Sequence, residues 1–147
     1  MRILGLDYGE KRIGVALSDE LGLTAQPLMT LQRKNRRSDL EGLAGIIRTY
    51  GVERIVVGYP LRLDGSEGIQ CEKVQRFIAF LESAFGLPVV RRDETLSTRQ
   101  AEDILAEAGV RREKRRELVD RIAAGLILQS YLDASRTERA GNPDKES

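Results

Sequence analysis

Two short apolar runs face each other across a turn at the start of the chain, and that pairing limits what can follow. Arg2 to Asp7 is the first run, Arg12 to Ser18 the second, and Tyr8-Gly9-Glu10-Lys11 lies between them. In the second run Ile13, Val15 and Leu17 alternate with Gly14, Ala16 and Ser18. That is the period of a strand. Two such runs joined by a glycine-bearing turn predict a β-hairpin. Asp7 then stands at the end of the first strand, with Gly9 allowing the backbone to turn back. A carboxylate fixed there suits a hard cation bound through oxygen. It equally suits an aspartate that only shapes the turn.

The remaining elements follow from patterning. A third strand is expected around Leu28–Leu31, after Pro27, and a basic loop over 32–37. Ser38-Asp39-Leu40-Glu41 has the form of a capping box. Leu40, Leu43, Ala44, Ile47 and Tyr50 then recur at helical spacing up to Gly51. Arg54–Gly58 reads as a strand buried on both faces. A helix is expected from about Ser66 to Phe85, a strand over Val89–Asp93, and a second capping box at Ser97-Thr98-Arg99-Gln100 opening a helix that stops at Gly109. The last helix starts within 114–118 and runs to about Arg136. The order is βββαβαβαα, with no internal repeat. It predicts an α/β protein: a mixed five-stranded sheet, three strands antiparallel and two parallel, with helices on both faces. One domain over 1–138 is expected, followed by a polar, disordered tail over 139–147. In open sheets of this kind ligands gather at the carboxyl ends of the strands.

Composition excludes much. The chain of 147 residues has no histidine and one cysteine, Cys71. A Ser-His-Asp or Cys-His apparatus, a histidine base and a histidine- or thiolate-bound zinc are therefore ruled out. A catalytic metal would have to be held by carboxylates, which favours Mg²⁺ or Mn²⁺. The single cysteine and the lack of any long apolar segment predict a cytoplasmic protein without a membrane span. Net charge is only +1 although 32% of residues are charged, so distribution matters more than the sum. Basic clusters such as 33–37 and 111–116 can meet phosphates or simply be solvated surface.

Three acids stand out. Asp7 and Glu94 follow strands, with Asp93 beside Glu94 leaving open which of the two faces inward. Asp120 lies near the start of the last helix, on the side shared with Ala123, Ala124 and Ile127. A half-buried Asp120 needs an arginine, a backbone amide or a metal as partner; a simple interaction with the helix dipole is the alternative. For Glu94 the alternative is pairing with Arg91 or Arg92. If the three acids meet, they make an oxygen-lined site for divalent ions suited to phosphodiester hydrolysis without a histidine. Lys11, Arg12, Arg62, Arg92, Arg99, Lys114 and Arg116 are the expected phosphate contacts around it.

Four stretches carry a family resemblance. They are Leu6-Asp7-Tyr8-Gly9 with Lys11-Arg12-Ile13-Gly14-Val15-Ala16; Val57 to Ser66; Asp93 to Thr98; and Asp120-Arg121-Ile122-Ala123-Ala124 leading into Ile127 to Leu132. In order and spacing they resemble the YqgF-type family, whose members are described as pre-16S rRNA nucleases and as Holliday junction resolvases. The likeness spans about 1–136. It implies a ribonuclease H-like fold, a divalent-metal site at Asp7, Glu94 and Asp120, and action on structured RNA or branched DNA. Two positions depart from the family pattern: Arg62 stands where Asn is common, and Thr95 where Arg is common. Both bear on substrate preference.

The expected activity is therefore a metal-dependent endonuclease that processes the 5′ end of pre-16S rRNA. Resolution of four-way DNA junctions is the near alternative, and would call for a symmetric homodimer rather than a monomer. A non-catalytic nucleic-acid-binding factor in ribosome assembly or transcription is the rival class. An actin-like ATPase or sugar kinase would need a second domain to close over its nucleotide.

Overall fold

The computed structural model describes residues 1–94 and 97–141. Strands β1 (Arg2–Tyr8), β2 (Arg12–Ser18) and β3 (Ala25–Gln32) form an antiparallel meander. Helix α1 (Arg36–Tyr50) leads to β4 (Val52–Pro60), which lies parallel to β1. Helix α2 (Ile69–Phe85) leads to β5 (Val89–Glu94), parallel to β4. Helices α3 (Ser97–Glu107) and α4 (Arg112–Gly141) complete the fold. Across the sheet the order is β3-β2-β1-β4-β5, the mixed sheet expected from the sequence.

Alternation sorts the side chains onto two faces. Leu4, Leu6, Ile13, Val15, Ile55, Val57 and Tyr59 point one way and pack with Leu43 of α1 and Val74, Phe77 and Leu81 of α2. Ile3, Ala16 and Val56 point the other way, against Ala124, Ile127, Leu128 and Leu132 of α4. Ala101 and Leu105 of α3 pack on Val119 and Ala123 of α4. Each large aliphatic side chain fully buried here contributes roughly 1.5–3 kcal/mol.

On the α4 face the sheet is lined with glycine, and the helix lies directly on it. A Cβ at Gly14 would stand 1.9 Å from the Asp120 carbonyl oxygen; one at Gly5 would be 2.7 Å from Leu128 Cβ, and one at Gly58 2.5 Å from Ile127 Cδ1. The direction of α4 follows from these contacts. Asp120 sits over β2 opposite the carboxyl end of β1, and Leu128 sits further back on β1. The first turns of α4 therefore project past the carboxyl ends of the parallel strands.

Several boundaries differ from the sequence reading. Helix α1 is capped by Asn35, whose side chain accepts from the Ser38 amide; Ser38 is not its N-cap. The Asp39 carboxylate turns back to the loop, where it accepts from the Lys34 amide at 3.2 Å and faces Arg33 at 3.6 Å. Strand β3 is longer than expected and includes Pro27, which sits beside a register shift on the edge of the sheet. A proline is tolerated there because it has no ladder bond to lose. Helix α2 begins at Ile69 after Gly68, later than Ser66, while α4 starts earlier than 114–118 and continues past Arg136. The expected disordered tail falls partly on α4; residues 142–147 lie outside the described residues. The helix stops predicted at Gly51 and Gly109 are found, and both glycines are left-handed, with φ of 63° and 76°. Gly9 does not: its φ is not positive, and glycine is needed there because a Cβ would stand 2.8 Å from the Arg12 carbonyl oxygen.

The glycine-lined contact makes a direct prediction. Gly14→Ala forces α4 off the sheet and lowers unfolding free energy by about 2 kcal/mol. Gly45→Ala, where nothing lies within 4 Å of the added Cβ, is neutral or stabilising by up to about 1 kcal/mol. Urea unfolding of the two variants checks this.

Candidate active site

Three elements deliver the three acids to one place. Asp7 pairs with Gly14 across the hairpin, and Gly14 is the residue on which the Asp120 backbone rests. Glu94 arrives from β5. Its partner in β4 is Pro60, two residues beyond the Gly58–Arg92 pair. Strand parity settles which acid of β5 turns inward. Arg92 faces α4, where its Nε donates to Ser130 Oγ at 2.9 Å. Arg91 faces the other way, 4.0 Å over the Tyr59 ring and 3.6 Å from Glu67. Glu94 shares the side of Arg92, and Asp93 that of Arg91.

The convergence has an electrostatic signature. The Asp7 carboxyl is pushed up from the ordinary 3.8 to about 7, first because burial strips it of water, then because of the negative charges of Asp120 and of Glu94. Among the described residues no hydrogen bond offsets this cost. The other two acids are partly engaged. Asp120 Oδ2 accepts from Arg12 Nε at 2.7 Å, so its partner is an arginine. It lies well inside α4, past the first turn in which the helix dipole is felt. Glu94 Oε2 accepts from the Ser97 amide at 3.1 Å and so caps α3. This replaces the predicted capping box, in which Gln100 would take that amide. Neither Arg91 nor Arg92 pairs with Glu94; Arg91 faces Glu67 and Asp93, the latter at 3.3 Å, and Arg92 bonds Ser130.

A divalent ion fits this donor set. All three candidate ligands are hard oxygen donors, and one is a crowded carboxylate without a donor among the described residues, repelled by the other two. As they are placed, no three acids among the described residues stand close enough together to hold an ion.

The seven expected phosphate contacts divide into two groups. Lys11 is exposed in the hairpin turn, Arg62 in the loop after β4, Arg99 in the first turn of α3, and Lys114 and Arg116 at the projecting start of α4. All five are exposed, without an acid partner among the described residues. Arg12 and Arg92 are half-buried and bonded to Asp120 and Ser130, so they hold the frame. Thr95 lies outside the described residues. Two residues escaped the sequence reading. Arg121 donates to Thr30 Oγ1 at 3.2 Å and ties α4 to β3. Arg33 donates to the Gly9 and Glu10 carbonyls at 2.8 and 3.0 Å, pinning the turn that follows Asp7. The hairpin register, Arg12 opposite Gln32, would have placed Arg33 beside that turn.

Fold and site together define a ribonuclease H-like protein with a carboxylate centre at the strand ends. Solved structures agree on the fold. RuvC from Thermus thermophilus bound to a Holliday junction superposes with a TM-score of 0.54 at 14% identity, over 92% of this chain and 96% of that one. The fowlpox virus resolvase in complex with junction DNA gives 0.55 at 15% identity, over 91% and 98%. The family model described as RuvX, Holliday junction resolvase, matches residues 1–134, and the chain belongs to that family. A relative from Syntrophus aciditrophicus, provisionally named a pre-16S rRNA nuclease, is 67% identical over 95% of this chain and 93% of its own. Another from Geobacillus kaustophilus, under the same name, is 53% identical over 92% and 100%.

The raised Asp7 carboxyl sets a pH dependence in metal-free protein. The folded state holds a proton on Asp7 that the unfolded state releases near 3.8. Stability therefore falls as pH rises from about 4 to about 7, and is flat above. The fall is on the order of 2–4 kcal/mol. Thermal melts in EDTA across that range should show it, and Asp7→Asn should remove it.

Proposed function

We propose that the chain is a divalent-metal-dependent endonuclease that processes the 5′ end of pre-16S rRNA in the cytoplasm. One observation carries the chemistry: Asp7, Asp120 and Glu94 come from three separate elements and lie near enough that burial first, and then the charges of Asp120 and Glu94, push the Asp7 carboxyl up, a shared charge that calls for a cation. Asp7, Glu94 and Asp120 would hold Mg²⁺ or Mn²⁺. When bound, such an ion lowers the pKa of an attacking water and steadies charge on the leaving oxygen.

The chain's own residues do the rest. Arg12 holds Asp120 in place. The Ser97 amide orients Glu94. Lys11, Arg62, Arg99, Lys114 and Arg116 bind phosphates along the rim, so recognition rests on backbone and shape. Aromatic residues are only 5% of the chain, too few for an extended stacking platform.

RNA is favoured over branched DNA by the names of the relatives sharing half or more of the sequence. The resolvase structures share only 14–15%. The junction reading keeps one support, the family description itself. It requires a symmetric dimer with two related cuts, so a monomer in solution counts against it.

Precursor rRNA and a synthetic four-way junction, incubated side by side with Mn²⁺, Mg²⁺ or EDTA, test the proposal. Cleavage should need the metal and favour the rRNA. Asp7→Asn, Glu94→Gln and Asp120→Asn should each lower it by at least about 100-fold while circular dichroism and RNA binding persist. Wild-type-like function in those variants would leave only the non-catalytic binding factor.

A further inference from the structure

On the face of the sheet opposite the three acids, a cavity of about 300 Å³ opens between α1 and α2 at the end of β1. That volume is at the lower end of small-ligand sites. Five cations and two carboxylates line it, together with three aromatic rings. Both carboxylates are already engaged, Glu10 with Lys73 at 3.0 Å and Asp39 with Arg33 at 3.6 Å. Lys34 and Arg36 have no acid partner among the described residues, and both are exposed.

The cations are layered on the rings. Tyr8 stacks on Phe77 with centroids 4.1 Å apart, and the Arg33 guanidinium lies 4.5 Å over Tyr8. Arg36 lies 4.6 Å over Phe80 on the other helix. Flat guanidinium surfaces backed by aromatic rings are what unpaired bases stack on. Arg36 and Arg37 also occupy the first turn of α1, where the helix dipole disfavours positive charge and only Asp39, already facing Arg33, is acidic. An anion bound at that point would relieve the conflict. Position adds to the case. Tyr8 lines the cavity, and Asp7, the next residue along the strand, faces the acids on the other side.

We infer that this cavity binds one unpaired nucleotide of the substrate strand next to the cut. Lys34 and Arg36 hold its phosphate, and the guanidinium–aromatic layers hold its base. The inference rests on the nuclease reading for the identity of the strand, but its test needs no cleavage. Full-length Asp7→Asn protein in EDTA is titrated with labelled duplex RNA carrying a single-stranded overhang, and with a blunt duplex of equal length. The double variant Lys34→Ala/Arg36→Ala should weaken overhang binding about tenfold and blunt binding less than roughly twofold. Arg37→Ala/Arg48→Ala removes the same charge from α1 outside the cavity and should weaken both probes equally. Phe80→Leu should weaken overhang binding without changing its salt dependence. Adenosine monophosphate should compete with the overhang better than inorganic phosphate does. Equal losses on both probes, or equal effects of the two double variants, overturn the inference. So does equal competition by phosphate, which would mark a plain anion site. Tight binding of the mononucleotide without overhang preference would mark a free-nucleotide site and overturn it also. Absence of cleavage in the wild type would defeat the nuclease reading while leaving the binding result to stand or fall alone.

Discussion

The seating of α4 on bare backbone is what the rest of the molecule depends on. Without side chains at Gly5, Gly14 and Gly58, a helix can approach the centre of the sheet to within contact of its peptide groups. At ordinary helix–sheet separation Asp120 would stand a side chain's depth further from Asp7. The large aliphatic residues are kept to the opposite face, where α1 and α2 cover them. One face thus supplies most of the hydrophobic stabilisation. The other gives up packing volume for proximity.

Proximity has an electrostatic cost, and the fold distributes it unevenly. Asp120 has a guanidinium and Glu94 a helix-start amide. Asp7, between them, has neither among the described residues. Two of the acids have a donor and the one between them has none among the described residues, so the strand end is where the proposed cation would be drawn. A site in which every carboxylate was paired would be more stable and less useful.

Much of this was legible in the chain. The alternation of Ile13, Val15 and Leu17 with Gly14 and Ala16 already separates a thick face from a thin one. The element order was readable because α1, α2 and α3 each give way to a glycine and the strands between them, β4 and β5, are rich in β-branched residues. What failed were local competitions. Ser38 and Glu41 have the letters of a capping box, but Asn35 offers the same oxygen three residues earlier, and Asp39 is drawn to Arg33. Pro27 argued for starting β3 late, yet an edge strand with a shifted register loses nothing to it. The inward acid of β5 depended on strand neighbours, which parity alone does not identify. The cavity between α1 and α2 was out of reach, since Tyr8, Arg33 and Phe77 meet only once the sheet order brings their elements together.

Asp7 and Tyr8 occupy consecutive positions at the tip of β1, one side chain above the sheet and one below. The peptide group joining them is therefore a partition with a tenant on either side. Any twist of that tip re-aims both side chains at once, in opposite senses, and Arg33, by gripping the turn beyond, limits how far it can rotate. Neither compartment can be reshaped in isolation by altering this strand. Independent tuning has to come from the surrounding helices, α3 and α4 for one compartment and α1 and α2 for the other.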